Sequence, residues 1–372
     1  MNSRAGEPPA VTRARRLLDA GLLAHDRAAV AVTERLGLPG SADPARVIGV
    51  KLLDGLDLEV LPDRGFDVGD VRLGGAPLSW ISPVADARPL PVPGGGAWLD
   101  RFTGGLIATC GLRNIGPARD GQGLHGDLGQ RPARVLGIER GVDAAADGGR
   151  VWARLRAEID DAAVFGASLR VHRTLTVSSA VGADGRPEHR VELVDEVENL
   201  GPVATPVSLL YHVNVGAPAV LPGTRIDVAA SRAVARDPHP EVPDWSTLPD
   251  PVDALTEAVF EHHEVEADDE GFAHARVLAA PDVLAAPEVH GRPGADDARA
   301  DGTAVREIDV AWSAATLPRL FQWVLPTRGR WALGIEPANA PLFGPDRDVP
   351  HAGAPVLASG ERRRHELRIT FR

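Results

Sequence analysis

The sequence predicts an all-β protein, a large antiparallel sandwich or barrel preceded by a short helical segment. From residue 46 onward it breaks into short alternating or apolar runs: VIGVKLL, LDLEVLP, GLIATCGL, RVWARLRAEI, ASLRVHRTLTVS, HRVELVDEVENL and VSLLYHVNVG. Gly, Pro and Asp divide them, and the pattern continues to the terminal ERRRHELRITFR. Closely spaced strand signals with turn residues between them indicate a β-sandwich or barrel. No long helical period separates the strands, which argues against a parallel βαβ sheet.

Ahead of this body, Val11, Leu17, Leu18, Leu22, Leu23, Val30, Val32 and Leu36 recur at roughly helical spacing, punctuated by Gly21 and Gly37. Two short helices or one broken helix are expected over residues 10–36, within an extension covering 1–45. Residues 46–372 then form one domain. Two stretches read as loops inside it. DPHPEVPDWSTLPDPVD, residues 237–253, suits a long ordered loop, and PEVHGRPGADDARADG, residues 287–302, a mobile turn. No repeat recurs at a fixed period.

At 372 residues, 44% hydrophobic and 25% charged, the chain can bury a large core. Its net charge is -12 and its acids are dispersed, as in HHEVEADDE, so nucleic acid is not an expected partner. Lys51 is the only lysine, a compositional bias with no functional reading. The only cysteine, Cys110, excludes an intramolecular disulfide and a multi-cysteine metal site. Its apolar setting, GGLIATCGL, predicts a buried and inert thiol. The N-terminus lacks the apolar core of a signal peptide, and no window approaches the roughly 18 apolar residues of a spanning helix. A cytoplasmic protein with no membrane partner is expected. No cofactor is implied, and the oligomeric state stays open, a homodimer being one option.

Four segments set polar residues among apolar strand neighbours. LEVLPDRGFDVGDV places Arg64 in a turn after a strand. An arginine there is most often a surface residue, although its rigid fork of donors suits hydroxyls or a carboxylate. The polar, glycine-rich GLRNIGPARDGQGLHGDLGQRPARV, residues 111–135, offers Asn114, His125, Asp127 and Arg131 on a long loop. In VSLLYHVNVGAP, period-2 alternation turns Leu210, His212 and Asn214 to one face and Tyr211, Val213 and Val215 to the other. His212 and Asn214 then need partners inside an apolar strand; a core histidine with such a partner is the competing reading. In LFQWVLPTRGRWALGIEPANAP, Gln322 lies in one apolar strand and Glu336 closes the next. A buried carboxylate without a cation is poised with a raised pKa, the environment of general bases.

Taken in order, RGFDVGDV with GGAPLSWISP, TCGLRNIG with LHGDLG, LLYHVNVG and LGIEPAN resemble the aldose 1-epimerase (galactose mutarotase-like) superfamily. More narrowly, the chain resembles a bacterial subgroup of epimerase-like proteins carrying a domain of unknown function, DUF4432-like. The resemblance spans residues 46–372 and implies a large antiparallel β-supersandwich with a sugar cleft on one face. It implies that His212, in Tyr-His-Val-Asn-Val-Gly, and Glu336, in GIEPANAP, are catalytic, that His125 is a second site histidine, and that Arg64 is the early arginine. Two departures leave the sugar open. Tyr211 replaces the asparagine that precedes the family's histidine, and LHGDLGQRPAR lacks the aromatic that commonly follows in galactose mutarotases.

The expected activity is acid–base interconversion of sugar anomers. Ionised Glu336 would take the anomeric hydroxyl proton and protonated His212 would supply the ring oxygen, from opposite sides of the sugar. Arg64, Asn114, His125, Asn214 and Gln322 would hold the hydroxyls. Three alternatives remain: a metal-dependent isomerase or lyase drawing on His125, His212, His262 or His263 with Glu336; a related acid–base reaction on a modified sugar; and a non-catalytic sugar-binding module. No metal is expected, because no tight His-x-His or His-x-x-x-His pair occurs, and adjacent His262 and His263 face opposite sides of a strand.

Overall fold

A computed structural model describes residues 11–36, 45–84, 98–182, 184–280 and 305–372. Two antiparallel sheets dominate it. The first has eleven strands. It runs from Val30–Leu36 through Arg46–Leu52, Leu56–Leu61, Asp67–Leu73 and Ile107–Leu112 to Ser208–Val215 at its centre. It continues through Ala332–Ala338, Arg319–Leu325 and Ala258–His263 to Arg232–Ala235, with the short Ala76–Pro77 on Asp67–Leu73. The second sheet has eight strands, in the order Arg225–Val228, Phe272–Leu278, Glu307–Ser313, Arg362–Phe371, Pro187–Asn199, Ser168–Val181, Val151–Ala162 and Ala133–Val142.

The main core lies between the sheets. It joins Tyr211, Val213, Val215, Leu333 and Ile335 of the first to Val171, Leu175, Val191, Leu193, Leu367 and Ile369 of the second. In Val151–Ala162 buried and accessible positions alternate along the whole strand, as expected when one face is covered. Ser208–Val215 and Ala332–Ala338 are buried at every position. The central strands of the first sheet are therefore covered on both faces, and their second cover is not a sheet. Loops and aromatic side chains supply it, and the candidate site lies beneath them.

The N-terminal helix is shorter than its periodicity suggests. It spans Arg13–Asp19, with Thr12 as N-cap accepting from the Arg15 amide. Asp26–Ala28 is a single 3-10 turn, and Val30–Leu36 is a strand paired antiparallel with Arg46–Leu52. Its β-branched Val30, Val32 and Thr33 suit a pleated edge, and pairing with the sheet overrides a weak helical period. The segment over 237–253 is an ordered loop tied to the body by bridges from Thr247 to Arg225 and from Val252 to Thr327. The turn expected over 287–302 lies outside the described residues.

Candidate active site

Register across the first sheet assembles the floor of the site. Ala108 pairs with His212, and the pairings Leu210 with Ala338 and Val213 with Ile335 set His212 opposite Glu336. Glu336 in turn pairs with Phe321. Cross-strand partners share a face, so Ala108, His212, Glu336 and Phe321 form one row. His212 Nε2 lies 3.2 Å from Glu336 Oε1, and the two residues are 4% and 3% exposed. They stand side by side on adjacent strands, not on opposite walls of a cleft as expected.

Burial sets their charge state. It raises Glu336 from its ordinary 4.5 to about 8, helped by the charge of Glu257 and opposed by Arg236. It lowers His212 from 6.5 to about 3, helped by His125 and opposed by Asn214. At neutral pH the pair is uncharged and holds one proton, on the carboxyl group. Both shifts run against an ionised Glu336 beside a protonated His212, because a dry pocket disfavours both charged forms. His212 Nδ1 is buried without a well-formed hydrogen bond, the Asn214 side chain acting on the ring only weakly.

Aromatic rings cover the pair. The centroids of Phe102 and Trp323 lie 5.1 and 5.3 Å from that of His212. Trp98 stacks on Phe102 at 4.4 Å, and Trp80 meets Phe102 at 5.7 Å and Trp323 at 5.6 Å. The Trp323 indole donates to Glu257 Oε2 at 2.9 Å, and Arg236 donates to Glu257 Oε1 at 3.0 Å. Gly334 leaves room in the floor. A Cβ there would stand 3.0 Å from His212 Cε1 and 3.1 Å from Glu336 Oε1.

His125 reaches the site from the 111–135 loop. Its φ of 58° is left-handed and rare for a residue with a Cβ. Hydrogen bonds from its amide to Gly116 O and from the Gly111 amide to its carbonyl hold it there, and the Gly116 amide donates to Nδ1 at 3.3 Å. Gly126 must follow, because a Cβ would sit 2.4 Å from the Gly111 carbonyl. The His125 ring packs 4.7 Å from Trp98 and 6.3 Å from His212, and burial, with Arg347, lowers its pKa to about 4.

The remaining candidates take other places. Asn114 donates to Pro117 O at 3.0 Å and Gly123 O at 2.9 Å and accepts from Arg347 at 3.0 Å. It braces the His125 loop, with its amide turned into the loop. Asn214 donates to Gly105 O and His212 O, at 2.9 and 3.0 Å, and so fixes the strand beside His212. Gln322 is a correction. It pairs with Phe260 in a row that faces the second sheet, where its oxygen meets His262 Nε2 at 3.0 Å and its amide donates to Trp245 O at 2.7 Å. Neighbouring Phe321 and Trp323 face the site instead. Arg64 is 8% exposed and lines a cavity with Trp98, Arg101, Phe102 and Ala108. Arg131 and Asp127 pair with each other at 2.5 Å, and Arg131 also meets Asp161. Cys110 is buried, which pushes its thiol up and leaves it inert.

Trp80, Trp98, Phe102, Trp323, Gly334 and Glu257 are absent from the sequence-derived site. One signal was available: aromatics make up only 4% of the chain, and three of its seven tryptophans stand here. Among the described residues, no group of three or more His, Cys, Asp or Glu is arranged to hold a metal, and no helix is long and apolar enough to cross a membrane.

Fold and floor together define a galactose mutarotase-like β-sandwich. A protein from Klebsiella pneumoniae, provisionally assigned as an aldose 1-epimerase, superposes with a TM-score of 0.72 at 20% identity, over 95% of this chain and 86% of its own. The Slr1438 protein of Synechocystis matches at 0.55 and 14% identity, over 91% and 99%. A galactose mutarotase related enzyme from Lactobacillus acidophilus matches at 0.51 and 11% identity, over 91% and 97%. At such identities the likeness is one of fold. The model of the family described as "Domain of unknown function (DUF4432)" matches residues 42–371, and the chain belongs to that family. No curated protein matches it.

Proposed function

We propose that the protein interconverts the anomers of a sugar by acid–base ring opening and closing, with Glu336 and His212 as the proton-transfer pair. The observation that carries this is a buried, uncharged acid and base 3.2 Å apart beneath aromatic rings. A structural pair would gain from charge and full hydrogen bonding. This one has neither, and titratable groups so perturbed concentrate at reaction centres. The aromatic walls suit the apolar faces of a pyranose.

Opening the ring removes a proton from the anomeric hydroxyl, delivers one to the ring oxygen and breaks the bond between that oxygen and the anomeric carbon. Both oxygens are attached to the same carbon, so neighbouring groups on adjacent strands serve both. Glu336 handles the anomeric oxygen and His212 the ring oxygen. With the proton on His212, the pair opens the ring and is left as neutral histidine and carboxylic acid. After the aldehyde rotates, His212 takes the proton back from the hydroxyl and Glu336 protonates the carbonyl oxygen as the ring closes. The resting protein is thus held in the form that closes an open-chain sugar, and a proton shift across the 3.2 Å contact gives the form that opens one. Because the pair is closed from solvent, sugar entry displaces Phe102 and its aromatic neighbours.

The test is polarimetry or exchange NMR on fresh α-sugars across a broad panel. Acceleration that disappears in His212→Asn and Glu336→Gln supports the reading. Binding without acceleration makes the protein a sugar-binding module, and loss on chelation restored by a divalent metal makes it a metal-dependent isomerase.

A further inference from the structure

A cavity lined by Ala108, the cross-strand partner of His212, holds a buried cation without an ion pair among the described residues. Arg64 is 8% exposed, yet among the described residues its guanidinium makes one hydrogen bond, from Nη1 to Arg101 O at 3.0 Å. Its Nη2 is buried without a partner, and among the described residues it forms no ion pair. Burial lowers its pKa to about 10, against the pull of Asp67 and with the push of Arg101. The carboxylates nearby are occupied. Asp67 accepts from Thr109 and Arg173, and Asp195 accepts from Arg173 and Tyr211. Arg101 lines the same cavity, and its Nε too is buried without a partner. Buried donors of this kind are ordinarily satisfied, and a guanidinium is matched by the oxygens of a carboxylate or a phosphate.

The strand order then gives the direction. Glu336 lies on Ala332–Ala338, His212 on Ser208–Val215, and Ala108, which lines the Arg64 cavity, on Ile107–Leu112, three successive strands about 4.8 Å apart. With the anomeric oxygen at Glu336 and the ring oxygen at His212, the next ring atom is C5, and its exocyclic substituent continues past His212 towards Ala108 and Arg64. We infer that Arg64, with Arg101 beside it, forms a carboxylate subsite for the C5 substituent, so that the substrate class is the uronic acids. This rests on the mutarotase reading and on its assignment of the two oxygens. Arg64 Nη2 is one unpartnered donor, and the cavity that Arg64 lines with Trp98 and Phe102 is small, about 20 Å³, which suits a planar carboxylate better than the bulkier, more highly charged phosphate.

The experiment compares mutarotation of D-glucuronate and D-galacturonate with that of D-glucose, D-galactose and D-glucose 6-phosphate, alongside calorimetric binding of each. Wild-type protein is expected to show a kcat/KM for a uronate at least tenfold above that for its neutral counterpart, and Arg64→Gln to bring that ratio near one. If the variant does not fold, the wild-type ratio decides alone. Acceleration of neutral sugars or of the 6-phosphate at or above the uronate rate overturns the subsite and leaves the mutarotase reading intact. Uronate binding that requires Arg64, with no sugar accelerated, supports the subsite and overturns the mutarotase reading.

Discussion

Tyr211 and His212 are adjacent on one strand, and they face two kinds of buried polar environment. Tyr211 points between the sheets and donates to Asp195 at 2.7 Å. There Arg173, fully buried, makes five hydrogen bonds: two to Asp195 and one each to Asp67, Gly65 O and Thr109. That matches the five donors a guanidinium has. Burial works to lower the Arg173 pKa, but Asp195 and Asp67 hold it above its ordinary value. On the other face, His212 Nδ1 has no well-formed hydrogen bond, burial favours the protonated form of its neighbour Glu336, and Arg64 Nη2 has no partner. The Arg173 cluster is completed by the chain itself, although other buried polar atoms, both ring nitrogens of His365 among them, lack a well-formed hydrogen bond. On the proposed reading, those left incomplete under the aromatic cover are completed by the sugar.

The largest effects should separate these faces by kind. A positioned acid or base contributes about 10² to 10⁴ in rate, so His212→Asn and Glu336→Gln should each lower mutarotation by that factor while the protein stays folded. If either keeps more than about a tenth of the wild-type rate, the pair is misassigned. Arg173→Met should do the reverse, destabilising by about 3–5 kcal/mol because Asp67 and Asp195 stay buried without their cation. Urea denaturation reads this directly. The rate itself should fall above about pH 8, as the pair loses its one proton, and again only in strong acid near pH 3. Both limits belong to the coupled pair. A maximum confined below pH 6 would show that the pair is charged.

A smaller effect has an unusual sign. Folding raises the Glu336 pKa from 4.5 to about 8, so the folded state binds a proton that the unfolded state has released between those values. Its contribution to stability therefore falls as pH rises from about 4.5 to about 8. Glu336→Gln removes that dependence. The inactive variant should be more stable than wild type by about 1–3 kcal/mol near pH 7, with the gap closing towards pH 4.5. Tyr211→Phe, one residue from His212 but on the completed face, should cost about 1–2 kcal/mol at any pH in this range by removing one of the two hydrogen bonds to Asp195 Oδ2, which keeps that from Arg173. Denaturation at two pH values separates a function-strained face from a structural one.

Much of the fold was legible because the outer strands alternate. The same period showed that Tyr211 and His212 part to opposite faces, and a late carboxylate closing an apolar strand singled out Glu336. Gln322 was misplaced for a physical reason. RLFQWVL is apolar on both faces, so it carries no alternation that fixes which face is which, and only its register against Glu336 decides. Val30–Leu36 was misread because VAVTERL fits both periods over so short a run and its partner strand settles it. Trp80, Trp98 and Phe102 come from segments with no period at all. The charge state of the pair was unreadable for the same reason, since it depends on these distant rings excluding water.

Gly334 carries the smallest prediction, and it tests the pair's geometry without removing either group. The glycine occupies the site row next to Glu336, and the clearances a Cβ would have from His212 and Glu336 are tighter than ordinary contact. Its backbone has no positive φ, so alanine brings no conformational penalty of that kind. Gly334→Ala should push the imidazole and carboxyl apart by a few tenths of an ångström. Sub-ångström misplacement of reacting groups costs about tenfold in rate, less than deleting either one. The expected signature is a kcat lowered about tenfold, KM within a factor of about two, and an alkaline limb moved from its wild-type position because the proton-sharing contact has lengthened. An unchanged kcat with the limb in place would mean that the 3.2 Å contact is incidental to turnover, leaving His212 and Glu336 to act independently.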